Sequence, residues 1–558
     1  MASAVAADVQ LEVERSDAGA PKLEEAEVPS ELAEYVVWAL EKAGVDGRFQ
    51  RNIYAVYFTL CCALSMQMMV QVFTTLPALQ ADSQKPFTDE DCLQPPVHRD
   101  FVKPFSVSSE FGLVCEYAME APLLGTLYFV GMLFGVSSCG VLADRRGRWV
   151  GCMLSFIVHQ VGGLLALLSP IYTVYAVARF LVGFGYGGVS VAAYVWFSEF
   201  MGDRGRRMLI VWGGGIGFGF GCILMSPIAY WVPDWRMMTA LVFVLGCPVL
   251  CVLPLLPESP AWYVTQQRCD DVHRVICRIA IINGRSQPPP YSSSGSVEHR
   301  DETKREDTPG ALKQLLCDPR LSQRFLPLCL GWFACALGYF GIVMNASNVG
   351  VSVYWANVVS VLTELPCGPF ALWAVGSSWI GRKGCIVGGL IFGGTCCLLC
   401  APAASPDVPP AVLVGLVYVG KFAIAASFNS LYVWVAELFP TAVRSQSLGF
   451  QSLCGRIGGI IAPSIADLGR SSTALPLIIF GAPAFIAGLL LVRLPETRGQ
   501  RTPDSIDDLP PAGALLPCLR RYAQLEEEAE GKSRRSSEPA PSAVVVGNQL
   551  KTEPHVGV

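Results

Sequence analysis

"YTVYAVARFLVGFGYGGVSVAAYVWFSEFMGDRGRR", residues 172–207, carries one charge, Arg179, in its first 26 residues and five charges in its last nine. An apolar run of that length crosses about 30 Å of hydrocarbon as an α-helix, and the basic cluster marks the end that stays cytoplasmic. The pattern returns in the second half of the chain. Glu199 and Glu437, Arg206 and Arg444, and Glu258 and Glu496 all share one separation, 238 residues, within "SEFMGDRGRR" and "AELFPTAVRS" and within "PESP" and "PETR". "LADRRGR" (142–148) has a weaker echo in "WIGRKG" (379–384). Three coincidences at one offset identify an internal duplication.

Apolar runs of membrane-spanning length recur at about 53–79, 120–142, 150–168, 172–197, 208–231, 237–256, 325–345, 351–376, 385–403, 411–436, 446–469 and 473–494. They fall six and six around residues 257–324, whose "PPPYSSSGS" and "EHRDETKRED" cannot supply a core. The sequence therefore predicts an all-α membrane protein. Twelve transmembrane helices form two pseudo-symmetric six-helix bundles related by an axis along the membrane normal, the plan of the major facilitator fold. The expected organisation is a cytoplasmic segment 1–52, a first bundle 53–256 with a large external loop 80–119, a cytoplasmic central loop 257–324, a second bundle 325–494 and a largely disordered cytoplasmic tail 495–558.

Composition agrees. Mean hydropathy is +0.43, only 16% of residues are charged, and there are 54 glycines; a soluble core seldom combines these, whereas membrane helices tolerate them. The net charge of -5 resides in ends and loops, and no nucleic-acid partner is expected. The first fifty residues are acidic and lack the apolar core of a signal peptide. Lys and Arg concentrate after alternate spans, at Arg145, Arg146, Arg148, Arg204, Arg206, Arg207, Arg382, Lys383 and Arg444, which places both termini in the cytoplasm.

Most of the 21 cysteines lie in apolar runs as small hydrophobes, and neither Cys61-Cys62 nor Cys396-Cys397 has metal-ligand spacing. Cys92 and Cys115, in the external loop, either pair in an oxidising exterior or stay free. "WGGGIGFGFG" (212–221) lies inside a span with no following Lys-Ser/Thr, so it serves helix contact or bending rather than phosphate binding. No cofactor and no metal are expected, and ATP-driven pumping is unsupported.

The buried charges carry the functional argument. Arg456 sits in "SLCGRIGGIIAP" (452–463) and Lys421 in "GKFAIAASFN" (420–429), each about ten residues into its span. At 1.5 Å per residue both reach about 15 Å, the bilayer midplane. A guanidinium there costs roughly 2.5–3.5 kcal/mol. Two arrangements offset it. A substrate carboxylate, sulfate or phosphate joins the cations, or each pairs with a buried carboxylate, with Glu364 of "LTELP" the available one. Tyr339, Phe340, Phe428 and Phe450 lie near that depth as candidate walls for flat organic groups, or as ordinary packing. Asn429 offers a hydrogen bond, and Glu364 could instead attract a cationic group or titrate. Arg179 reads as a structural hydrogen-bonder. A separate set lies at cytoplasmic helix ends: Asp144, Arg145, Arg148, Glu199, Arg206, Glu258, Arg382, Glu437, Arg444 and Glu496. Their placement in both halves suits a latch that closes the inner side, and topology or headgroup contact accounts for some of them.

"GVLADRRGRW" (140–149), "RFLVGFGYGG" (179–188), "PESPAW" (257–262) and "LPETRG" (494–499) resemble signatures of major facilitator transporters. "GRFQRN" (47–52), "EFGLVCEYA" (110–118), "PDWRMM" (233–238) and "ELFPTAVR" (437–444) are similar to the organic cation/anion transporter family, solute carrier family 22. The resemblance covers roughly residues 33–500. It implies anion or zwitterion selectivity, because cation-selective relatives carry an acidic residue at the Arg456 position and anion or carnitine-type relatives carry arginine. It departs from the family at Ala261, at Trp149, in an external loop with two cysteines and no asparagine, and at Gly368, where many anion carriers have lysine.

The expected function is secondary transport of small organic anions or zwitterions by alternating access at the plasma membrane, with no enzymatic activity. A counter-ion or exchanged solute accompanies that mechanism, and the C-terminal "VGV" resembles a ligand for a PDZ-domain partner. The rivals are an organic cation or sugar carrier, and a receptor or sensor on the transporter fold.

Overall fold

The computed structural model describes residues 32–77, 106–291, 311–345, 352–403, 408–470 and 472–500, with isolated positions at 503, 506 and 509. Among them there is no β-strand. That follows from the solvent: in hydrocarbon a backbone must satisfy its own polar groups, and a helix does so within one segment.

A short helix, α1 (Leu32–Ala43), precedes the first membrane helix, α2 (Arg48–Thr74). Then come α3 (Glu120–Arg146), α4 (Arg148–Leu168), α5 (Tyr172–Ser198), α6 (Arg204–Trp231) and α7 (Trp235–Val252). The central segment contains α8 (Cys269–Asn283). The second half comprises α9 (Pro319–Met344), α10 (Val353–Gly376), α11 (Gly381–Ala403), α12 (Pro410–Leu438), α13 (Thr441–Asp467) and α14 (Ala474–Leu491). Eleven of these helices are long and apolar enough to cross a bilayer. The twelfth, α13, matches α2 at 27 residues but carries Arg444, Gln446, Gln451 and Arg456, which lower its apolarity.

Glycines set the closest helix contacts. A Cβ on Gly183 of α5 would sit 1.9 Å from the Tyr128 carbonyl oxygen of α3, and one on Gly131 would sit 2.1 Å from that of Phe180. Only backbones without side chains can approach so closely. In α6, residues Ile210–Gly217 form a π-helical turn, and a Cβ on Gly213 there would meet the Tyr57 ring at 2.0 Å. The glycine-rich stretch thus serves both contact and helix distortion.

Several bonds that join the two halves lie on the side away from the arginine-rich loops. Thr126 donates to the Ile460 carbonyl at 3.0 Å, and Asn357 donates to the Cys222 carbonyl and to Ser226 Oγ, each at 2.9 Å. Phe73 stacks on Tyr354 and Phe129 meets Phe340 edge-on. On the arginine-rich side α1 docks on α8. Tyr35, wholly buried, donates to the Pro289 carbonyl at 2.7 Å, and burial pushes its phenol up to about 12. Asn283 donates to the Ala43 and Gly44 carbonyls and accepts from the Phe49 N–H.

Candidate functional site

Lys421, Phe428 and Tyr432 recur at i, i+7 and i+11 along α12 and share one face. Ser360 and Glu364 stand one turn apart on α10, at the end of its outer segment Val353–Glu364. The helix breaks at Leu365–Pro366 and resumes at Cys367, since proline disrupts an interior helical turn. This geometry brings Lys421 to Glu364. The ammonium is 2% exposed and donates to Ser360 Oγ at 2.6 Å and to Glu364 Oε2 at 3.0 Å. It also lies 4.9 Å from the Tyr339 ring centroid, and the Tyr339 hydroxyl donates to Glu364 Oε1. Of the two arrangements the sequence left open for Lys421, the structure contains the internal one.

Arg456 differs. It is half-buried on α13, and among the described residues its guanidinium has no carboxylate partner. The titratable groups that face its charge are the phenols of Tyr432 on α12 and Tyr186 on α5, one from each half. Arg179 is 2% exposed, and its hydrogen bonds go to neutral groups while its buried Nε has no hydrogen-bond partner among the described residues. It donates to Gln71 Oε1 at 2.6 Å and to the Gln67 carbonyl at 3.4 Å, with the Tyr128 ring 5.1 Å away.

An aromatic chain links these charges. Tyr432 meets Trp332 at 4.5 Å between centroids and Trp332 meets Phe428 at 5.5 Å; Phe428 stacks on Tyr339 at 6.4 Å, and Tyr339 meets Phe340 at 5.1 Å. Phe340 reaches Phe129 of the first half at 4.7 Å. Tyr339 is thus in ring contact with both Phe340 and Phe428, and all three lie within or against the hydrophobic core of the second half. Phe450 packs against the core of the second half, and Asn429 is exposed with its amide 3.7 Å from Cys367 Sγ. Sequence reasoning missed Trp332, Tyr432 and Tyr186. Tyr432 stands one turn beyond Phe428 and Trp332 two turns before Tyr339, a spacing that could have found them.

The charges at the helix ends on the arginine-rich side form two related clusters. Arg148 donates to Asp144 at 2.8 Å and lies 3.5 Å from Glu199. Arg382 binds Glu437 through two nitrogens, at 2.9 and 3.0 Å. Glu258 accepts the Trp149 and Ser259 N–H groups, and Glu496 accepts those of Arg382, Lys383 and Thr497, so each carboxylate caps the start of α4 or α11. Gly147 precedes α4 and Gly381 is the first residue of α11, with φ of 116° and 66°, and a Cβ on either would strike the capping carboxylate. Burial pushes the Glu258 carboxyl up, against the lowering effect of the N–H donors and of Arg148. Trp196 donates to the Pro257 carbonyl and Trp434 to that of Pro495, a further correspondence at 238 residues. Arg206 and Arg444 donate to nearby carbonyls, of Ser198 and Phe439; Arg145 is exposed. Each of these ion pairs lies within one half. Cys115 is disulfide-bonded, while Cys92 and the C-terminal "VGV" lie outside the described residues.

Residues 100–505 match the family model described as "Sugar (and other) transporter". Solute carrier family 22 member 15 of Xenopus tropicalis is 33% identical over 439 residues, covering 77% of this chain and 78% of that relative. Solute carrier family 22 member 6 of Rattus norvegicus is 31% identical over 426 residues, covering 75% and 76%. The organic cation transporter protein of Drosophila melanogaster is 31% identical over 409 residues, covering 72% and 74%. Among solved structures, the partially occluded inward-open xylose transporter XylE from E. coli superposes with a TM-score of 0.58 at 15% identity, covering 81% of this chain and 99% of that one. That likeness is one of fold.

Proposed function

The chain belongs to solute carrier family 22 of the major facilitator superfamily, a multi-pass membrane transporter and not an enzyme, and we propose that it carries small organic anions or zwitterions across the plasma membrane. Arg456 carries this reading. A mid-membrane guanidinium without a protein carboxylate retains its desolvation cost of roughly 2.5–3.5 kcal/mol until an anion reaches it, and its planar fork accepts a carboxylate or sulfate through two parallel bonds. The ring chain from Tyr432 to Phe129 supplies an apolar surface beside that charge.

A cation carrier would need a free carboxylate at the same depth. Both oxygens of Glu364 are already engaged, which weighs against that rival. The zwitterion reading keeps a specific basis, because Glu364 remains partly exposed and can face a cationic group. Substrate exchange occurs by alternating access, with the bundles rocking about the midplane and an exchanged solute or coupling ion completing the cycle. The joining contacts on the side away from the arginine-rich loops support an inward-open state. The cytoplasmic clusters then change partners as the inner side closes. A C-terminal PDZ-domain ligand is a further, separate proposal.

Uptake of labelled anions, zwitterions and cations into cells expressing the full chain tests this reading. Saturable anion or zwitterion uptake is expected, lost in Arg456→Ala at equal surface abundance. Uptake of cations alone contradicts it, and binding without uptake favours a receptor.

A further inference from the structure

Lys421 and Arg456 reach mid-membrane from neighbouring helices, yet of the two only Arg456 lacks a carboxylate among the described residues. The Lys421 ammonium is enclosed by Ser360 Oγ, Glu364 Oε2 and the Tyr339 ring, and is 2% exposed. The Glu364 side chain keeps 25% exposure. The carboxylate is thus the exposed member of the pair, and the ammonium is the buried one. Its two oxygens accept from an ammonium and a phenol, the contacts that a ligand carboxylate would make at the same place. Glu364 is also the single acidic residue away from the ends of the described membrane helices. Arg179 adds positive potential, but Gln71, Gln67 and Tyr128 seal it from contact.

Resting on the anion reading above, we propose that Glu364 is a tethered anion filling a second anion subsite at Lys421. Among the described residues the cavity then offers one free cation, and it selects substrates with a single anionic group over dianions. A second anionic group entering the cavity meets the Glu364 carboxylate. Like charges brought together away from water repel by several kcal/mol, a device for rejecting the wrong ligand. Neutralising Glu364 reverses the sign at that spot, because the Lys421 ammonium is then bare. Neutralising Lys421 instead leaves the carboxylate unopposed.

The test uses benzoate and terephthalate, matched in ring and differing by one carboxylate, as labelled probes on cells expressing the full chain, normalised to surface abundance. The unaltered protein should favour benzoate by about tenfold or more, the scale that a like-charge juxtaposition sets. Glu364→Gln should raise the terephthalate-to-benzoate ratio by about tenfold, and Lys421→Gln should lower it. The double variant, which again leaves Arg456 as the cation that substrate reaches, should return the ratio toward its starting value. Benzoate uptake with an unchanged ratio in either single variant contradicts the tethered anion while leaving the anion reading intact. No uptake of either probe by the unaltered protein contradicts the anion reading itself.

Discussion

Arg456 and Arg179 are both guanidinium groups inside the membrane, and they meet the cost of burial differently. Arg179 is enclosed by a glutamine side chain, a carbonyl and a ring face; it is part of the packing. Arg456 borders both halves, and among the described residues the titratable groups facing its charge are the phenols of Tyr432 and Tyr186. Arg179→Ala should therefore lower the melting temperature of purified protein, with a loss of about 2–4 kcal/mol from the cavity and the unpaired Gln71, while the KM of the surviving transporter stays unchanged. Arg456→Lys keeps the charge but loses the fork, so KM for a carboxylate substrate should rise about tenfold with surface abundance unaffected. Both cations were visible in the sequence as charges in apolar runs, because depth follows from residue count. The partner of Lys421 was not fixed there. Glu364 is 57 positions earlier on another helix, and helix rotation decides whether the two face each other. Trp332 and Tyr432 were hidden for a related reason: aromatics are ordinary residues in membrane helices, and only their register with Lys421 and Tyr339 distinguishes them.

At the scale of elements, helix contacts depend on where glycines fall. A Cβ on Gly183 would strike the backbone of α3, whereas one on Gly140 would meet nothing within 4 Å. Gly183→Leu should abolish surface expression through overpacking, at a cost of about 3 kcal/mol or more. Gly140→Leu should be tolerated within about 0.5 kcal/mol. Surface labelling of the two variants checks both. The membrane helices were legible because apolar length reports directly on bilayer thickness. Two distortions were less so. The break in α10 follows from Pro366, but its consequence, a helix end carrying Glu364, required the fold. The π-helical turn in α6 coincides with a glycine run whose sequence allowed bending without specifying its form.

Across the whole molecule, the duplication visible at 238 residues governs the arginine-rich side. Glu258 and Glu496 cap equivalent helices, and Trp196 and Trp434 brace equivalent carbonyls. Among the described residues the ion pairs Arg148–Asp144, Arg148–Glu199 and Arg382–Glu437 each lie within one half, which suits a state whose inner side is open. The latch then predicts an exchange of partners on closure. Asp144→Arg and Arg444→Asp should each reduce transport, and combining them should restore it; no rescue in uptake assays counts against that pair. Such exchange was beyond the sequence, since one chain of residues carries both conformations without saying which contacts belong to each.

The most direct measurement is uptake by Arg456→Asp, surface-normalised, against a matched set of labelled organic anions and cations. Anion uptake should fall to background while cation uptake rises, because the charge that substrate meets in the cavity has changed sign. Anion uptake persisting at the original rate would contradict the central role of Arg456.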